Sequence, residues 1–302
     1  MAGRMYLAMA VAISVWTSVT GVRAAEPAAV VEAPAAKPKA RPLADGPGWR
    51  PLFNGRDLTG WVVKCKPADR KKGFWKVDKG TILADSMGAK GHDYVWLYSA
   101  KAYDDFVLRL RFQVSRKSKG NSGVQIRSRY DDKAGWLDGP QVDINPAGPW
   151  RCGMIWDETR GSKRWLWPPV AKGKWVNRSM AAKGSVFHYA EDGGKWNEME
   201  ISAIGTKLRA VLNGTQVMKW DGKGTLDDEV HRKRNVGMKG HIALQIHRGD
   251  RLRIRFKDIR IICGKALQDG AWRIGDSAAS EIERLAVGLC AGWGARVSAH
   301  GE

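Results

Sequence analysis

Asp105-Phe106-Val107-Leu108-Arg109-Leu110-Arg111-Phe112-Gln113-Val114 is the stretch that decides the fold. Phe106, Leu108, Leu110, Phe112 and Val114 fall on one side of an extended chain, and Val107, Arg109, Arg111 and Gln113 on the other. A period of two with one apolar face describes a strand that covers a core and shows its other face to water. Working outward, Phe74–Val77, Thr81–Ala84, Tyr94–Tyr98, Trp196–Ile204, Lys207–Leu212, Gln216–Trp220 and His241–His247 read as strands on the same grounds. Asn213-Gly214 is a hairpin turn, because both central residues of such a turn need positive φ. In Arg251–Ile262 the apolar set Leu252, Ile254 and Phe256 gives way to Ile259 and Ile261. That phase change at Lys257-Asp258 predicts a bulge or a switch between sheets. Many short strands and no βαβ alternation predict an all-β sandwich or jelly roll.

Two further strands carry polar side chains on one face. Lys119-Gly120-Asn121-Ser122-Gly123-Val124-Gln125-Ile126-Arg127 aligns Asn121, Gln125 and Arg127, and Gly139-Pro140-Gln141-Val142-Asp143-Ile144 aligns Gln141, Asp143 and then Asn145. A strand face of amides, guanidinium and carboxylate is no core face; it suits a ligand made mostly of hydroxyls. His241, Gln245 and His247 likewise share a face opposite Ile242, Leu244 and Ile246.

The ends of the chain read differently. Arg4, the apolar run Met5–Val19 and Val22-Arg23-Ala24 predict a signal peptide over residues 1–24, hence a secreted or periplasmic protein. Residues 25–47 are an Ala/Pro-rich linker too poor in apolar surface to fold. One large domain is expected over 48–263. The tail, 264–302, holds one short helix, with Ser280-x-x-Glu283 as its capping box and Ile282, Leu285, Ala286 and Leu289 as its face.

Lys and Arg number 51 against 31 Asp and Glu, a formal charge of +20. The basic residues are spread along alternating strands rather than clustered with aromatics, which argues against a nucleic-acid partner and for solvated faces or anionic envelope polymers. No apolar run of about 20 residues follows the leader, so no transmembrane segment is expected in the mature chain. Cys65, Cys152, Cys263 and Cys290 lack metal-ligand spacing; a Cys65–Cys263 staple and free thiols are both open readings. Nothing in the sequence fixes the oligomeric state.

Five further segments occur in order. Pro51-Leu52-Phe53-Asn54-Gly55-Arg56-Asp57-Leu58-Thr59-Gly60-Trp61 opens the domain and Gly120-Asn121-Ser122-Gly123-Val124 follows. Then come Trp196-Asn197-Glu198-Met199-Glu200-Ile201, Gly240-His241-Ile242-Ala243-Leu244-Gln245-Ile246-His247 and Arg255-Phe256-Lys257-Asp258-Ile259-Arg260-Ile261. Over roughly residues 49–263 this series resembles the 3-keto-disaccharide hydrolase family. The resemblance implies a concanavalin-A-like jelly roll acting on 3-keto-glycosides, by elimination across C1–C2 and hydration of the resulting enone. A ketone at C3 acidifies the C2 proton. Such a site needs a base, a cation or donor on the developing enolate oxygen, and an acid for the leaving group.

On that footing Asp143 is the candidate base or metal holder, Arg127 the group that polarises the ketone, and His247 a proton shuttle, with Glu158 completing the proton-transfer set. Asn121, Gln125, Gln141, Asn145, Trp156, Arg160, His241 and Gln245 are the candidate substrate-binding residues. A divalent metal is compatible with Asp143, Glu158 and His247, although no ligand spacing demands one. Each residue also has a plainer reading: Asn121 as a turn former, Asp143 as a structural acceptor or the ion partner of Arg127, Glu158 and Arg160 as a loop pair. The resemblance also leads one to expect Glu then Gln where this chain has Gln141 and Asp143, and Asn where it has Asp258. A retaining glycosidase is excluded, since Gln141-Val142-Asp143-Ile144-Asn145-Pro146 lacks the flanking carboxylates that mechanism uses. A non-catalytic sugar-binding module is the alternative function.

Overall fold

The computed structural model describes residues 48–268 except 90 and 172. The signal peptide, the linker, the helix around Ser280–Glu283 and Cys290 lie outside the described residues. Two antiparallel eight-stranded sheets build the domain. The first runs β14 (Thr215–Asp221), β13 (Lys207–Leu212), β12 (Asn197–Ile204), β6 (Phe106–Val114), β16 (Arg253–Cys263), β4 (Thr81–Asp85) and β3 (Trp75–Asp78), with β1 (Arg50–Pro51) on β16. The second runs β11 (Arg164–Trp167), β10 (Ile155–Asp157), β9 (Pro140–Ile144), β7 (Ser122–Asp131), β15 (Gly240–Ile246), β5 (Val95–Tyr103) and β2 (Trp61–Cys65), with β8 (Trp136–Asp138) on β7.

The alternation in β6 does what its pattern predicts. Phe106, Leu108, Leu110, Phe112 and Val114 join one core with Val124 and Ile126 of β7, Val142 and Ile144 of β9, and Ile242, Leu244 and Ile246 of β15. Each such side chain taken from water contributes about 1.5–3 kcal/mol. The result is a jelly-roll sandwich whose core is the apolar parity of both sheets. Val107, on the other face of β6, is buried too, because Ile262 and Leu267 of the short helix α2 (Lys265–Gln268) pack over it. The start of the tail is thus part of the domain.

The phase change in β16 is a bulge within one sheet. Pairing with β6 shifts between Lys257 and Arg260, and Asp258 takes φ 51°. The Asn213-Gly214 turn has φ 49° and 82°, as its sequence requires. Cys65, Cys152 and Cys263 are free thiols, so no Cys65–Cys263 staple exists. Among the described residues no helix is long and apolar enough to cross a membrane.

The second sheet positions the site. Its core face uses Val124, Val142 and Leu244, which leaves Gly123 and Gln125, Gln141 and Asp143, and Ala243 and Gln245 on the opposite face. A bulge then interrupts β7: His241 pairs Ser128 while Ala243 pairs Gln125, and Arg127 has φ 47°. The extra residue turns Arg127 out of the parity of Gln125.

Candidate active site on the outer face of the second sheet

Asp143 is the centre of the polar floor. It is 2% exposed, and its Oδ1 accepts from Asn121 Nδ2 at 2.6 Å and from Gln141 Nε2 at 3.5 Å. Its Oδ2 accepts from Arg151 Nε at 3.1 Å. Gln141 lies flat across β7, where Gly123 leaves the space: a Cβ at Gly123 would meet the Gln141 Cδ at 2.4 Å. Gln141 Oε1 in turn accepts from Gln125 Nε2 at 2.8 Å. Burial pushes the Asp143 carboxyl up, against the opposing pull of Arg151 and Asn121.

A second acid stands on the turn after β10. Glu158 is held by its backbone, with its N–H donating to Gly139 O at 3.0 Å and its carbonyl accepting from the Trp136 indole at 2.9 Å. Burial raises its carboxyl pKa; hydrogen bonds from Trp156 and from Gln245 Nε2, the latter at 3.4 Å, work against that rise. His247 completes the set. Its Nδ1 lies 3.2 Å from Asp250 Oδ2 and its Nε2 lies 2.9 Å from the Tyr94 hydroxyl. With the proton on Nδ1 facing Asp250, Nε2 accepts from Tyr94. Burial disfavours the imidazolium, yet Asp250 and then Glu158 lift the pKa above the ordinary histidine value. Asp250 also accepts from the Asn121 backbone N–H at 2.7 Å, so one carboxylate fixes both His247 and the Asn121 turn.

Aromatic rings border this polar group. Tyr94 stacks on Trp96 and meets Trp136 and His247 edge-on, with centroids 4.7–5.3 Å apart. On this face Gln125 Oε1, Gln245 Oε1 and Trp96 Nε1 are enclosed and have no hydrogen-bond partner within the protein. Burying such groups alone is unfavourable, so these atoms are places where a donor or acceptor from outside the chain, water included, would lower the cost.

Asn121, Gln125, Gln141, Asp143, Glu158, Gln245 and His247 therefore come together, with Trp156 at their edge. Arg127 does not. Its side chain is fully buried and donates to Asp104 O and Gly205 O at 2.6 Å, to Gly237 O at 3.3 Å and to Asp105 Oδ1 at 2.9 Å. Burial pushes its pKa down to about 10, with Asp105 opposing. The bulge explains the misplacement, and Arg151 is the cation that pairs with Asp143 instead. Arg160 is also elsewhere: it clamps Asp138 through Nε and Nη2 and reaches Asp131 at 2.8 Å, rather than pairing with Glu158. His241 Nδ1 donates to the Ser99 carbonyl oxygen at 2.7 Å, and the ring stacks on Tyr98. Asn145 closes a turn by accepting from Gly148 N–H at 3.1 Å. Arg151 and Asp250 lie in loops, where parity gives no direction; Tyr94 shares the parity of Trp96, on which it stacks, but its sequence position gave no sign of the hydroxyl's bond to His247. No group of three or more His, Cys, Asp or Glu side chains is arranged to hold a metal among the described residues. The donor set also disfavours one, because Asp143 already faces a guanidinium and two amides.

The profile of the 3-keto-alpha-glucoside-1,2-lyase-like domain matches residues 48–262. The chain belongs to this family. This lyase-like domain is a carbohydrate-related jelly roll. No curated protein sequence is detectably similar to the chain. Solved structures similar to it include two proposed glycosyl hydrolases from Parabacteroides distasonis. One is 18% identical with TM-score 0.46, covering 72% of this chain and 94% of the other. The second is 22% identical with TM-score 0.43, covering 72% and 99%. The carbohydrate-binding module CBM66 from Bacillus subtilis is 12% identical with TM-score 0.43, covering 67% and 95%.

Proposed function

We propose that this protein is an exported 3-keto-glycoside 1,2-lyase and hydratase, a hydrolase in net reaction. The observation that carries the reading is the pair of buried carboxyls, Asp143 and Glu158, set beside His247 on a floor of enclosed amides, two of which, Gln125 and Gln245, keep an oxygen without a protein partner. Recognition alone would need the amides; it would not need three titratable groups with shifted affinities for protons.

In the proposed sequence Asp143 takes the C2 proton, and the electron pair passes to the C3 oxygen as an enolate. The Arg151 guanidinium beside Asp143 stabilises that charge, the role first expected of Arg127. Collapse of the enolate re-forms the ketone, makes the C1–C2 double bond and expels the C1 oxygen. Glu158, which burial holds more protonated than a free carboxyl, supplies the proton to that leaving oxygen, and His247 returns a proton to Glu158. Water then adds to C1, its proton passing to the His247 imidazole that gave one up, and Asp143 gives the proton back to C2. 3-Keto-glycoside plus water becomes 3-keto sugar plus alcohol, with the C3 ketone kept throughout and no oxidant consumed.

Asp143 accepting three hydrogen bonds favours a second reading, a sugar-recognition module in which that carboxylate only accepts sugar hydroxyls. The two separate on one substitution. Asp143→Asn should reduce turnover of a 3-keto-glucoside by at least about a hundredfold, the usual scale for a general base, with little change in thermal midpoint. Retained turnover in Asp143→Asn would remove the catalytic assignment.

A further inference from the structure

A cleft of about 380 Å³ opens beside the polar floor, between β10, β11 and the segment around residues 170–175. Trp156, Trp165 and Trp175 wall it. Trp156 stacks on Trp175 with ring planes 9° apart, and Trp165 meets both edge-on. Trp175 is 64% exposed, which leaves a broad ring at the mouth of the cleft. Val170, Ala171 and Val230 add apolar surface, and the charged side chains of the wall are Lys163, Arg164 and Lys174 against one carboxylate, Asp228, which is already engaged by His231 at 2.8 Å. None of the three cations has a carboxylate oxygen within 4.0 Å among the described residues. That contrasts with Arg109, Arg111, Arg160, Arg253 and Arg255 elsewhere on the surface, each of which is paired.

The cleft shares Trp156 with the border of the candidate active site. Trp156 lies opposite Gln141 in the sheet and its indole reaches Glu158. Lys163 extends over the Trp136 ring at 4.0 Å and is close enough to Glu158 to bear on its ionisation. A sugar seated on the amides with its C1 oxygen toward Glu158 would send its aglycone over Trp156 into this space.

We propose that the cleft is an aglycone subsite selective for planar aromatic aglycones that carry an acidic group, such as aryl carboxylates. The rings supply stacking surface, and the unpaired cations supply charge complementarity at a site still open to water. This rests on the reading of the floor as the 3-keto-sugar site, and its test separates the two.

The experiment measures kcat/KM for the 3-keto-glucosides of phenol and of 4-hydroxybenzoate, for the unaltered protein and for Arg164→Gln/Lys174→Gln. Free 4-hydroxybenzoate is titrated in parallel by tryptophan fluorescence. The unaltered protein should favour the carboxylated substrate by about three- to tenfold, the scale of one or two exposed charge contacts. That ratio should fall toward one in the double variant and in 0.5 M NaCl, and quenching by 4-hydroxybenzoate should weaken in both. Turnover of both substrates with a ratio near one and no quenching overturns the subsite while leaving the lyase reading intact. Absence of turnover overturns the lyase reading, and the fluorescence titration then decides the cleft alone: charge-dependent quenching supports it, none refutes it.

Discussion

At the scale of single residues, Arg127 and Arg151 exchange the roles their positions suggested. Strand parity put Arg127 beside Asp143, but one inserted residue in β7 sends it between backbone carbonyls from three loops. Arg127→Met should therefore act on stability. Leaving those carbonyls and Asp105 without their donor should cost about 3–5 kcal/mol, by analogy with breaking a buried ion pair. The check is chemical denaturation, together with activity per folded molecule, which should be unchanged; a variant with normal stability and no activity would restore Arg127 to the catalytic set. The pH profile of turnover belongs to this scale too. The base must be deprotonated, and burial raises Asp143, so the acidic limb should lie above the ordinary Asp value of 3.8. The proton-returning imidazolium is held by Asp250 and Glu158, so the alkaline limb should lie above 6.5. An Asp250→Asn variant should bring that alkaline limb down, as read from kcat against pH.

At the scale of elements, the helix α1 (Glu229–Arg234) is tied to the active-site sheet by one side chain. His231 is fully buried, with Nε2 3.3 Å from Asp157 Oδ2 and Nδ1 2.8 Å from Asp228 Oδ1. Burial lowers its proton affinity, but the two carboxylates raise it net above 6.5, and the same contacts lower both aspartates. For the histidine, with its folded pKa raised, the stabilisation is complete below 6.5 and is lost as pH rises through the folded value. For the aspartates, with theirs depressed, it is present above 3.8 and is lost as pH falls through the folded values. The latch is therefore strongest between those limits. His231→Gln should lower the thermal midpoint most near pH 5–6 and progressively less toward pH 9. A deficit that grows with pH would contradict it.

Strands were the part of this molecule most visible in its sequence, and for a physical reason. Each apolar face had to meet the other sheet, so Phe106–Val114 and Gly240–Ile246 carry their orientation in their residue order. The Lys257-Asp258 bulge was visible because it broke an apolar series. The bulge at Arg127 was not, because the residues after it, Ser128-Arg129-Tyr130-Asp131, hold a single aromatic among polar side chains and so no apolar series for the slip to break. The site was half legible on the same terms. Asn121, Gln141, Asp143, Gln245 and His247 could be placed by parity, whereas Arg151 and Asp250 are brought in by loop geometry, which residue spacing does not encode.

At the scale of the whole molecule, a two-sheet sandwich presents one enclosed polar face with aromatic borders, in a family of carbohydrate-related jelly rolls, and the proposed function places a 3-keto sugar on that face. The basic surface is compatible with this, since most of the first sheet's arginines are spent on ion pairs across strands, such as Arg109 and Arg209 with Glu200. The central claim is that ketone-assisted elimination takes place on the Asp143 floor. It is tested most directly by incubating the purified protein with a 3-keto-glucoside and with the matching unoxidised glucoside, each with and without a chelator, and measuring alcohol released. The account predicts release from the 3-keto compound alone, in both conditions, and its loss in Asp143→Asn. Binding of the sugar without release from either compound would contradict it, and would make this face a recognition surface.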